Sequence, residues 1–131
     1  MDFLVTFHSF WRWILLIAAV VALVWAIGGW LGSFSPALAA KRAGMLYIIA
    51  IDVQTLVGVI LWVGKGWYEI PGYFRFEHPT TMLLALVVAH VGQVMSRRAT
   101  SPRAAARTVA IAVAVSLALV IVGIPGVVRG R

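Results

Sequence analysis

The chain has 131 residues, 63% of them apolar, and a formal net charge of +7 from 11 Lys and Arg against 4 Asp and Glu. A soluble domain of that composition would have too little polar surface to solvate itself, and four long apolar stretches leave no room for a separate catalytic domain. Cysteine is absent, which excludes disulfides, thiolate metal sites, iron–sulfur clusters and covalently attached haem.

In chain order, the apolar stretches predict helices over 3–31, 43–64, 79–97 and 102–128, each near the ~20 residues that cross a bilayer. Ala37-Leu38-Ala39 after the first stretch resembles a processing site. No basic segment precedes that stretch, however, and it is too long for a signal peptide, so it reads as a retained helix. Pro36, following Gly32-Ser33-Phe34-Ser35, closes it. The segment 65–77 mixes Lys65, Glu69, Arg75 and Glu77 with five aromatic rings around a Pro71-Gly72 turn, a composition suited to the membrane interface. His78-Pro79 reads as an N-cap with proline at the first helical position, and Ser101-Pro102 repeats the pattern before helix four. Helix four is rich in alanine from Ala104 to Ala118, which allows close approach of a neighbour. The expectation is one all-α domain over 1–131, an integral membrane up-down four-helix bundle with short connections.

The basic residues read as topology signals. Lys41 and Arg42 lie between helices one and two, and Arg97, Arg98, Arg103 and Arg107 between three and four. The positive-inside rule puts both loops in the cytoplasm and both termini, with the segment 65–77, outside. Trp11, Trp13 and Trp62 then form an outer aromatic belt and Trp30 marks the inner one. The positive charge is thus explained by the membrane, without nucleic acid as a partner.

The polar exceptions inside the helices carry the functional information, because an ionisable group there costs a few kcal/mol and is normally partnered within the bundle. They are His8, Arg12, Asp52 and His90, with Gln54 and Gln93 beside them and Glu77-His78 at a helix start. Depth decides which can meet. At ~1.5 Å per residue, His90 lies roughly 10 Å from Arg97 and Asp52 roughly 15 Å from Arg42, so these two can form a buried polar pair inside the bundle, with Gln54 or Gln93 completing its hydrogen bonds. His8 and His78 share a depth in the outer half.

Two axial haem ligands must approach one iron from opposite sides at nearly equal depth. His78 and His90 are ~18 Å apart along one helix, and His8 and His90 differ in depth by roughly 25 Å. His8 with His78 is the one bis-histidine pair that depth allows for a b-type haem. Arg12, one turn inward from His8, and Arg75, just before His78, are candidates to neutralise its propionates, with Trp11 and Phe76 shielding the ring. The competing reading is that histidines near a membrane boundary are ordinary.

The run His8-Ser9-Phe10-Trp11-Arg12-Trp13, the segment Asp52-Val53-Gln54-Thr55-Leu56-Val57-Gly58, and Glu77-His78-Pro79 with Met82 after it resemble a family of small four-helix bacterial membrane proteins known as cytochrome B. The shared patterns are H-S-x-x-R-W, Q-x-x-x-G and E-H-P-x-x-M; helix four carries none. Some relatives have histidine where this chain has Asp52 and lack an equivalent of His90. The resemblance implies a haem b in an electron-transfer setting of the bacterial inner membrane.

Three classes of function fit these residues. The first is a haem-binding electron carrier exchanging electrons with quinone or a larger electron-transfer complex. The second is a non-catalytic accessory subunit of a respiratory or photosynthetic complex. The third is a small proton-coupled transporter or channel lined by Asp52 and His90, for which four helices would require a homo-oligomer. None gives the chain an independent enzymatic activity.

Overall fold

The computed structural model describes residues 2–32 and 37–125, and these form four helices long and apolar enough to cross a membrane. They are α1 (Asp2–Leu31), α2 (Ala37–Gly64), α3 (Glu77–Arg97) and α4 (Pro102–Gly123), with a single 3-10 turn, Trp67–Glu69, in the connection between α2 and α3. The all-helical bundle expected from the apolar runs is the observed fold. Pro36, the stop expected for α1, lies outside the described residues, as does the stretch 126–128 expected at the end of helix four. Ala37 and Ala39 fall in the first turn of α2.

Three boundaries differ from expectation, and each has a local cause. The fourth helix stops at Gly123 because Pro125 disfavours helical geometry in the residue before it, and Ile124 is extended, with φ −70 and ψ 125. The third begins at Glu77, two residues early, since Pro79 is tolerated anywhere in a first turn whose N–H groups lack intrahelical partners. His78 is therefore inside the first turn, and Phe76 occupies the cap position without a side-chain hydrogen bond. The second begins at Ala37, ahead of the expected residue 43, because the intervening alanines favour helix. Ser101 caps α4 as expected, its hydroxyl accepting from the Ala104 N–H at 3.1 Å with Pro102 next.

Small residues set the packing. The buried stripe of α1 is Leu15, Ala19, Ala22 and Ala26, spaced at i, i+4, i+7 and i+11, one face of a helix. Across α3 and α4, a β-carbon added at Gly92 would fall 2.1 Å from the Ala112 Cβ, so those helices meet almost backbone to backbone. Polar groups fasten the centre: Tyr47 donates to Ser116 Oγ at 2.6 Å, and Ser116 donates to the Ala85 carbonyl at 2.8 Å, joining α2, α4 and α3. The pairs α1–α2, α3–α4 and α1–α4 pack along most of their length, α2 also touches α3 and α4, and α1 and α3 do not pack on each other. That arrangement leaves a gap on the α1–α3 diagonal.

Gly92→Ala should lower stability by about 1–3 kcal/mol, the cost of overpacking a tight contact. A compensating Ala112→Gly should restore part of it, as measured by thermal unfolding in detergent.

Candidate functional site

The diagonal gap opens, at the end of the bundle that carries the α2–α3 connection, as a cavity of about 530 Å³, within the range of small-molecule and cofactor sites. Its polar lining comes from His8, Ser9 and Arg12 on α1, Gln54 and Thr55 on α2, and His78 at the start of α3. Trp62, Trp67, Phe74 and Phe76 form much of the apolar wall. All three sequence motifs therefore converge on this one space, with Gly58, Pro79 and Met82 also at its wall.

His8 and His78 face each other there, with ring centroids 6.4 Å apart and planes at 77°. Each ring is held by its own set of neighbours. Gly58 makes room for His8: an added Cβ would stand 3.2 Å from His8 Cε1. Gln54, one turn before Gly58, donates from Nε2 to the His8 carbonyl at 2.8 Å, tying α2 to the backbone of the residue it accommodates. The His8 Nδ1 and the Gln54 Oε1 are both buried without a hydrogen-bond partner among the described residues, one able to donate and the other to accept.

The His78 ring is oriented by the end of α4. Its Nδ1 lies 2.9 Å from the Gly123 carbonyl; a carbonyl can only accept, so Nδ1 carries the proton and Nε2 bears the lone pair in the neutral ring. Tyr73 donates its hydroxyl to the same carbonyl at 2.5 Å, which satisfies a helix C-terminus otherwise short of donors. The Tyr73 and Phe74 rings meet the His78 ring edge-on at 5.7 and 5.3 Å. Gly123 is packed closely against α3: an added Cβ would fall 2.6 Å from the terminal Cε of Met82 and 3.2 Å from Thr81 Cγ2, so those side chains would have to move. Sequence reasoning missed Tyr73 and Gly123. The signal for the latter was the helix stop before Pro125.

The α2–α3 connection folds over this space through its own contacts. Gly66 and Gly72 take positive φ of 69° and 137°, conformations glycine adopts without strain. Trp67 stacks on Phe74 at 5.4 Å across the turn, and Trp62 donates to the Arg75 carbonyl at 2.8 Å.

The other expected site residues divide between those at the cavity and those away from it. Arg12 lines the cavity and lies over the Trp13 ring at 5.3 Å. Arg75 is not at the cavity wall: its Nε donates to the Tyr68 carbonyl at 3.0 Å and its guanidinium covers Phe76. Trp11 is not at the wall either, because its indole N–H donates to the Ala50 carbonyl at 2.8 Å, fastening α1 to α2. Asp52 and His90 do meet, Nε2 to Oδ1 at 2.6 Å, but on the outward face of the bundle rather than inside it, both about half exposed. Gln54 belongs to His8 and not to that pair, because residues two apart on a helix point away from each other. Gln93 is buried beside Gly44.

No group of three or more His, Cys, Asp or Glu side chains able to hold a bare metal ion occurs among the described residues. Two facing imidazoles suffice for a metal that brings its other ligands with it, as haem iron does. His8 and His78, with ring centroids 6.4 Å apart, would hold such a metal through ring nitrogens. In comparisons with known proteins, no family model, curated protein or solved structure matches the chain.

Tyr73→Phe should cost about 1 kcal/mol, the usual net value of one hydrogen bond. Gly123→Leu should cost more, because it also pushes the first turn of α3 off α4; thermal unfolding in detergent reads both.

Proposed function

We propose that the protein is a membrane-embedded b-type cytochrome that passes electrons, with one haem in the outer cavity between α1 and α3. The observation that carries this reading is the facing of His8 and His78 across an apolar cavity. The resemblance of the three motifs to the cytochrome B family supports it, since their residues gather around this one space.

The roles of the side chains follow from what each touches. His8 and His78 would hold the iron through their ring nitrogens. The Gly123 carbonyl fixes the His78 tautomer and enriches the ring through Nδ1–H, the usual arrangement behind a metal-bound histidine. Gln54 holds the His8 backbone and Gly58 leaves space for its ring. Arg12 supplies the positive charge at the cavity wall that a propionate needs. Trp67, Phe74 and Phe76 keep water from the outer side, which bears on redox potential. Bound haem supplies a one-electron couple; the chain supplies its ligands, its orientation and its dry surroundings.

The bacterial inner membrane is the setting, with quinone or a larger respiratory complex as the exchange partner. Lys41, Arg42, Arg97 and Arg98 face the cytoplasm and both termini the outside. The outward orientation of Asp52 and His90 offers no interior path within one bundle, so the transport reading has less support. The accessory-subunit reading remains the alternative, and a visible spectrum distinguishes the two.

Purified protein should show sharp reduced b-type bands. His8→Ala and His78→Ala should each abolish or convert the low-spin spectrum, and His90→Ala should leave it unchanged. Gly58→Leu should lower haem content while the helical signal in circular dichroism persists. A colourless wild-type protein after haem-supplemented expression would favour the accessory subunit. A reporter fused after Arg131 should be active outside the cytoplasm, and activity confined to the cytoplasm would reverse the topology.

A further inference from the structure

The Asp52–His90 pair takes no part in the cavity and sits where a bilayer tolerates it least. Along α2, Asp52 is roughly 15 Å from Arg42 and roughly 20 Å from Lys65, which is mid-membrane. His90 meets it there from α3 at 2.6 Å. Yet 47% of the His90 side chain and 46% of the Asp52 side chain remain exposed. The contact uses His90 Nε2 and Asp52 Oδ1. Among the described residues, His90 Nδ1 and Asp52 Oδ2 make no hydrogen bond within the chain.

The surrounding face is apolar. One turn away along the two helices lie Ile49 and Leu56 on α2 and Val87 and Val94 on α3, all exposed. Ionisable groups at this depth almost always face protein or a water-filled cavity, and neither polar atom can be satisfied by acyl chains. Something with polar groups at the same depth covers this face.

We propose that it is covered by a second copy of this chain, in a two-fold dimer whose axis passes beside the pair. A two-fold interface places a patch against itself in reverse order, so residue i meets j and j meets i. The pair is complementary to its own reversed image: His90 of each copy meets Asp52 of the other, and each carboxylate faces an imidazole rather than another carboxylate. With His90 carrying a proton on both ring nitrogens and Asp52 ionised, the four groups close into one neutral ring: each Nε2–H bonds the carboxylate of its own chain and each Nδ1–H the carboxylate of the other copy. A different protein would need its own polar donor and acceptor at the same height. The flanking Ile49, Leu56, Val87 and Val94 pack around the ring. This assembly does not depend on the cofactor.

The absence of cysteine makes the test direct. Full-length protein is reconstituted in phospholipid bilayers at fixed lipid-to-protein ratio, and subunits are counted by single-molecule photobleaching. Wild type should be dimeric, and the apolar double variant Asp52→Leu/His90→Leu should dimerise with a roughly tenfold weaker association constant, read by diluting the protein in lipid, the scale of two interhelical hydrogen bonds in a membrane. To place the interface without disturbing the pair, Leu56→Cys and Ile17→Cys, each otherwise wild type, are treated in membranes with a short bis-maleimide. Leu56→Cys should give a product of twice the chain mass and Ile17→Cys, on the lipid face of α1, should not. A monomeric wild type, a dimer insensitive to the double variant, equal crosslinking at the two positions, or an adduct to a different protein would each overturn the proposal. If the double variant fails to insert, the counting of wild type and the crosslinks decide alone.

Discussion

Within a bilayer no solvent is available to complete a hydrogen bond, so every polar group in a spanning helix must be answered by protein or by something the protein holds. The described contacts follow from that constraint. The Tyr47 and Ser116 hydroxyls are consumed in a chain ending on the Ala85 carbonyl, and the indole N–H of Trp11 ends on Ala50. Gly123, at the end of a helix that cannot continue into Pro125, receives both Tyr73 and His78. Against this accounting, the unanswered His8 Nδ1 and Gln54 Oε1 stand out, and both residues border the same cavity.

The cavity is a consequence of how small residues distribute contact. Alanines draw α1 onto α2, and Gly92 against Ala112 draws α3 onto α4. The α1–α3 diagonal is left unfilled at the end that carries the α2–α3 connection, and Trp67, Phe74 and Phe76 from that connection line it, supplying dispersion contacts along its wall.

Much of this was legible in the sequence because depth in a membrane is a one-dimensional quantity. Counting residues from a charged helix end at a fixed rise brought His8 level with His78, and Asp52 level with His90, and the structure has the first pair facing each other across the cavity and the second hydrogen-bonded. Depth does not fix azimuth. Asp52 and Gln54 are two residues apart and cannot share a helix face, so Gln54 reaches His8 while Asp52 turns outward. Arg75 could not be placed at all by depth, since it belongs to an irregular connection whose course is set by Gly66 and Gly72. The early end of α4 was available in Pro125 but was masked by the apolar residues beyond it.

The central claim is that His8 and His78 act on one iron. Electron paramagnetic resonance of the purified ferric protein tests it most directly, because the signal reports the axial ligands and the relative orientation of their planes. With two imidazoles held at 77°, the account predicts a low-spin, highly anisotropic signal. A high-spin signal from a single axial ligand, or protein carrying no haem iron, would contradict it.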